Sequence, residues 1–78
     1  MINLGEAKKV TFKTLLENNI KDYQFEGLSL LSKILDLDTK TVITENEIEI
    51  SLEQKNLIEK LIKKRIEGMP LAYLTKEK

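Results

Sequence analysis

This sequence predicts an all-α fold, a small bundle of four to five helices, on three observations. Apolar residues recur at three- and four-residue intervals in three separate stretches. Two of those stretches open on capping signatures, Asn3 with Glu6 and Ser51 with Gln54. The last stretch stops at Gly68-Met69-Pro70, a glycine stop followed by a residue that tolerates the start of a further turn.

The first helix is predicted over about 3–18. Asn3 is placed to accept from the first free backbone amides, and Glu6 stands three residues on. On a helix, Leu4, Ala7, Thr11, Phe12, Leu15 and Leu16 share one side, and Lys8, Lys9 and Lys13 lie off it. Val10 falls outside the stripe, and Asn18-Asn19 ends the segment. The second helix is predicted over about 23–37, with Phe25, Leu28, Leu31, Ile34 and Leu35 at 3–4 spacing. Gly27 inside it costs about 1 kcal/mol relative to Ala, which implies another helix passing close by.

The third stretch, TKTVITENEIEIS, reads two ways. Its β-branched, nearly alternating residues allow a hairpin of Thr41–Thr44 against Glu47–Ile50 across Glu45-Asn46. A two-stranded hairpin alone is marginal in water, and a helical turn from Asp38 followed by a loop competes with it. The fourth helix is predicted over about 52–67. Leu57, Ile58, Leu61 and Ile62 make its stripe, Glu59 and Lys63 an i,i+4 pair, and Gly68 its left-handed cap. Pro70 then opens a short turn over 70–75. No segment can bury its face alone, so the segments must pack on one another.

Composition removes many functions. The chain has 78 residues, near the lower limit for a core that holds a fold unaided. It is 41% hydrophobic and 33% charged, which is globular rather than disordered. Thirteen basic residues balance thirteen acidic ones, which argues against gripping nucleic acid or an anionic membrane. With neither Cys nor His, disulfides, thiolate or imidazole metal sites and His-activated nucleophiles are excluded. The lack of Cys suits a cytoplasmic protein. Apolar runs fall far short of the roughly 20 residues needed to span a bilayer, and no signal-peptide core is present.

Few residues remain as candidates for chemistry. Asp36 with Asp38, and Glu45, Glu47 and Glu49, lack metal-loop spacing and read as solvated loop charge. Lys60, Lys63 and Lys64 form a basic cluster, either a partner-binding patch or cations complementing the negative end of a helix. Arg65 stands apart. It is the only Arg among thirteen basic residues, and it falls on the apolar stripe between Leu61 and Ile58. A guanidinium there needs partners, which predicts an Arg65 at least half buried and bonded to a carboxylate or to carbonyls. Tyr73, within Leu71-Ala72-Tyr73-Leu74, reads as a packing anchor with its hydroxyl at the surface.

The ending RIEGMPLAYLTKEK, after a long amphipathic helix, resembles the end of the N-terminal domain of the HemK/PrmC family of release-factor glutamine methyltransferases. Their characteristic stretch reads R-x-x-G-x-P-[LI]-A-Y-[IL]-x-G. Arg65, Gly68, Pro70, Leu71, Ala72, Tyr73 and Leu74 match it, and Lys76 stands where the family usually has Gly. FEGLSLLSKILDLD resembles the family's second helix, which usually carries Ala where this chain has Gly27.

The resemblance implies a five-helix bundle over 1–69, with a short helix near Thr39–Thr44. It also implies that 70–78 begins a linker toward a C-terminal methyltransferase domain. It gives Arg65, Gly68 and residues 70–74 a structural and interdomain role. The implied parent enzyme transfers a methyl group from S-adenosylmethionine to the glutamine of a Gly-Gly-Gln loop in class 1 release factors. The implied role of the bundle is to hold the release factor. The family's N-P-P-Y motif and Gly-rich turn do not occur here, so no catalytic or cofactor-binding residue is expected in this chain. Two other readings compete: a free-standing protein-interaction bundle, and a helix-turn-helix nucleic-acid binder. The second is disfavoured by the alternating Glu53, Lys55, Glu59 and Lys60.

Overall fold

The computed structural model describes residues 2–75. Five helices and two very short strands follow in the order β1 (Ile2–Asn3), α1 (Leu4–Glu17), α2 (Tyr23–Leu35), α3 (Thr39–Thr44), β2 (Glu49–Ile50), α4 (Leu52–Ile66) and α5 (Leu71–Leu74). The all-α expectation holds, and α3 occupies the span the family resemblance implied. The hairpin reading of the third stretch is corrected. Glu49–Ile50 pairs with Ile2–Asn3 instead, antiparallel, with Ile2 opposite Ile50.

That pairing has a cause at the start of α1. A helix leaves its first amides without internal partners. The Leu4 N–H donates to the Ile48 carbonyl at 2.7 Å and the Gly5 N–H to Asn46 at 3.0 Å. The loop before α4 is thus drawn across the N-terminus of α1. Gly5 permits the approach, because a Cβ there would stand 3.1 Å from the Asn46 Cβ. Both predicted capping boxes form: Asn3 with Glu6 on α1, and Ser51 with Gln54 on α4.

The three long helices end alike. Just past each helix an N–H donates to the carbonyl five residues back, in the helix's last turn: Ile20 to Leu15, Leu37 to Ser32, and Met69 to Lys64, at 3.1 to 3.2 Å. The residue before each donor is left-handed: Asn19 at φ 66°, Asp36 at 56° and Gly68 at 114°. This is the Schellman arrangement, with an apolar residue following each left-handed one.

The buried core cluster draws on five elements: Leu4, Ala7 and Leu15 from α1, Leu31 from α2, Val42 from α3, Ile50 from β2, and Ile58 and Ile62 from α4, with the partly buried Ile2 of β1 packed against it. Several stripe positions differ from expectation. Lys8 is buried, and its Nζ donates to the Ile43 carbonyl at 3.1 Å, complementing the negative end of α3. Leu16, Phe25 and Leu57 are exposed, Phe25 by 66%. On α2 the inner place goes to Tyr23, whose ring meets Phe12 edge-on at 6.3 Å. The predicted close approach at Gly27 is present. A Cβ there would lie 2.7 and 2.8 Å from two ring carbons of Phe12. On α4, Glu59 pairs with Lys55 at 2.8 Å rather than with Lys63.

Candidate functional site at the exit from the bundle

The end of α4 and the turn beyond it hold most of the residues singled out in the sequence. Arg65 turns toward α2. Its Nε donates to Glu26 Oε1 at 2.6 Å and its Nη2 to Oε2 at 3.2 Å, a two-point fork. The two side chains are 22% and 13% exposed, so the pair is largely shielded. Hydrogen bonding to the Glu26 carboxylate raises the Arg65 pKa above its ordinary value, against the opposing effect of burial. The sequence pattern does not mark Glu26 as the acceptor. The available signal is that it is the single acid inside FEGLSLL, one residue before the close-packed Gly27.

Two residues past Ile66, Gly68 takes the left-handed conformation that turns the chain. Nothing lies within 4 Å of where its Cβ would be, so backbone conformation alone favours glycine. Pro70 is the N-cap residue of α5, and its carbonyl accepts from the Tyr73 and Leu74 amides. No residue of α5 is buried. Leu71 and Leu74 are half-buried and Ala72 is exposed. Tyr73 is 67% exposed, which corrects the expectation that it is a packing anchor: a single turn, none of whose residues is buried, is too short to enclose the ring. Thr75 closes the turn on the Leu71 carbonyl and lines a polar hollow of about 410 Å³ with Ser29, Ser32 and Thr39. The Ser32 hydroxyl donates to the Leu37 carbonyl there. Lys76 lies outside the described residues.

Lys60 and Lys63 are exposed and Lys64 is half-buried. Lys63, Lys64 and Arg65 occupy the last turn of α4, where cations complement the helix dipole. The loop carboxylates do not gather. Among the described residues no group of three or more Asp or Glu is placed to hold a metal ion. None of the described helices is long and apolar enough to cross a membrane.

Two passages lead from strand to helix among the described residues, the kind of place where free backbone amides can hold an anion. Here the passage from β1 into α1 is closed by the Asn3 box and two loop carbonyls, and that from β2 into α4 by the Ser51 box. The geometry supplies a rigid corner, with an ion pair behind it and a short unburied helix in front.

No curated protein and no solved structure matches the chain. The family model described as the PrmC N-terminal domain matches residues 6–75, a span that runs from the first turn of α1 through the Arg65–Glu26 pair to Thr75. The chain therefore belongs to the PrmC N-terminal domain family.

Proposed function

We propose that this chain is the substrate-recognition domain of a peptide chain release factor N(5)-glutamine methyltransferase. In this reading the bundle holds a class 1 release factor while a separate C-terminal domain works in the cytoplasm. That domain transfers the methyl group of S-adenosylmethionine to the glutamine of the Gly-Gly-Gln loop. Contacts made far from the reacting amide hold the substrate in place for the chemistry. The chain itself carries no catalytic residue.

The observation that supports the reading best is the family match over residues 6–75, which ends on the turn that leads out of the bundle. The Arg65–Glu26 fork and the Gly68 turn fix the direction in which that turn leaves α4. A linked domain needs such a fixed direction, because a small misplacement costs rate steeply.

Isothermal titration of the chain with a class 1 release factor tests the proposal. Saturable binding to the release factor is expected, with no methyl transfer from S-adenosylmethionine by the chain alone. Absence of binding, or methylation by these 78 residues, would overturn it.

A further inference from the structure

The face of the molecule between α1 and α4 is separate from the exit. It carries an open groove formed by two adjoining hollows of about 510 and 410 Å³ that share Val10, Glu59 and Ile62. Ala7, Ile58 and Ile62 are core residues that reach its surface, and Val10 stands beside them 55% exposed. Val10 is the residue that falls outside the apolar stripe of α1, and the fold gives it no internal role.

The α4 edge of this groove is charged in a regular way. Lys55, Glu59, Lys63 and Glu67 follow one another at four-residue intervals, and all four line the groove. The signs run plus, minus, plus, minus. We infer that this groove is the interface of a homodimer, filled by the same edge of a second copy of this chain running antiparallel. A two-fold axis beside Leu61 sets Lys55 against Glu67 of the copy and Glu59 against Lys63 of the copy. Every charge then meets its opposite. A parallel arrangement sets like against like at each position. Rows of residues four apart are also the ridges that helices most often interdigitate, and a two-fold contact uses the same patch twice.

The remaining rim charges, Glu6 and Lys9, cancel. The groove is therefore neutral, which disfavours a polyanion and leaves burial of Val10 and its neighbours to drive association. A specific interface of about 1,000 Å² in total takes roughly a tenth of the 5425 Å² of each chain, the low end of such contacts, and a weak dimer is expected.

Sedimentation equilibrium with charge-exchanged variants tests this. The wild-type chain is expected to rise from 9.0 kDa toward twice that mass as concentration increases, and Val10→Asp to stay monomeric. An acidic edge (Lys55→Glu with Lys63→Glu) and a basic edge (Glu59→Lys with Glu67→Lys) should each be monomeric alone. Mixed in equal amounts, they should form a heterodimer tighter than the wild-type dimer. Circular dichroism checks that each variant is folded. A wild-type chain that remains monomeric at millimolar concentration overturns the inference. So does a dimer indifferent to Val10→Asp and to both charge sets. Release-factor binding by a monomeric chain, lost in Val10→Asp, would assign the groove to that protein instead and also overturn it.

Discussion

Arg65 and Glu26, thirty-nine residues apart, join the end of α4 to the first turn of α2 through two nearly parallel hydrogen bonds. The fork needs guanidinium geometry. Lysine keeps the charge and loses one of the two bonds. Arg65→Lys is therefore expected to cost about 1 kcal/mol in urea unfolding. Glu26→Gln, which leaves a shielded cation without its counter-charge, should cost about 2 kcal/mol. A double-mutant cycle should return a coupling of about 1 kcal/mol or more between the two positions. The raised Arg65 pKa gives a stabilisation that is complete below the ordinary arginine range and lost only as pH climbs through the raised value. The guanidinium side of the pair should therefore add no pH dependence between pH 5 and pH 9, roughly the range in which unfolding is ordinarily followed.

Gly27 and Phe12 share one volume. Helix propensity alone predicts that Gly27→Ala stabilises α2 by about 1 kcal/mol. The ring of Phe12 stands where the new methyl would go, at 2.7 and 2.8 Å, and it is held against Tyr23. Overpacking of this kind costs about 1–3 kcal/mol, so the net effect expected is a loss of about 1 kcal/mol. Phe12→Leu made together with Gly27→Ala should recover most of that loss. Thermal unfolding of the two single variants and the double variant measures it. Additive losses would show that the ring and the methyl do not compete.

Asp38 caps α3. Hydrogen bonding from the Thr41 side chain, and next from the Thr41 N–H, which it accepts at 2.9 Å, holds its carboxyl below the ordinary 3.8. A depressed folded-state pKa contributes stability that is present above the ordinary value and is lost as pH falls through the depressed one. The Thr41 amide resonance should therefore shift with a midpoint below 3.8, and α3 should fray on the acid side of it. Asp38→Asn should abolish that titration. A midpoint above 3.8 would contradict the cap.

What could be read in advance divides along physical lines. Local rules worked wherever the interaction is local: both capping boxes and the Gly68 turn lie within a few residues of their causes. The approach at Gly27 is to Phe12 on another helix, and it is legible only because a glycine inside a helix needs a packing reason. The β1–β2 pair was not legible, because its strands are two residues long and forty-six apart, and the carbonyls of the 46–48 loop bring them together. Periodicity puts Lys8 outside the stripe, but a long aliphatic stem lets a lysine sit inside when its amine finds a carbonyl, here that of Ile43. At the exit, the lone Arg announced a shielded ion pair, but its acceptor comes from another helix and carries no periodic signal. The exposure of Tyr73 is not legible because an aromatic beside leucines looks the same in sequence whether it is enclosed or left on one exposed turn.

The shared ending of α1, α2 and α4 yields the last prediction. The left-handed position is filled by Asn19, Asp36 and Gly68 in turn. A Cβ in that conformation meets its own backbone and costs about 1–2 kcal/mol, somewhat less for Asn and Asp, which bond locally. Gly68 has open space where a Cβ would be, so the cost of Gly68→Ala is one of conformation only, about 1 kcal/mol. Asp36→Gly relieves the same strain at the end of α2 and should stabilise by a few tenths of a kcal/mol, the greater freedom of glycine in the unfolded chain offsetting part of the gain. Chemical denaturation of the two variants should thus move in opposite directions. If Gly68→Ala proved neutral, the left-handed turn would not be what sets the course of α5, and the chain would leave α4 by another route.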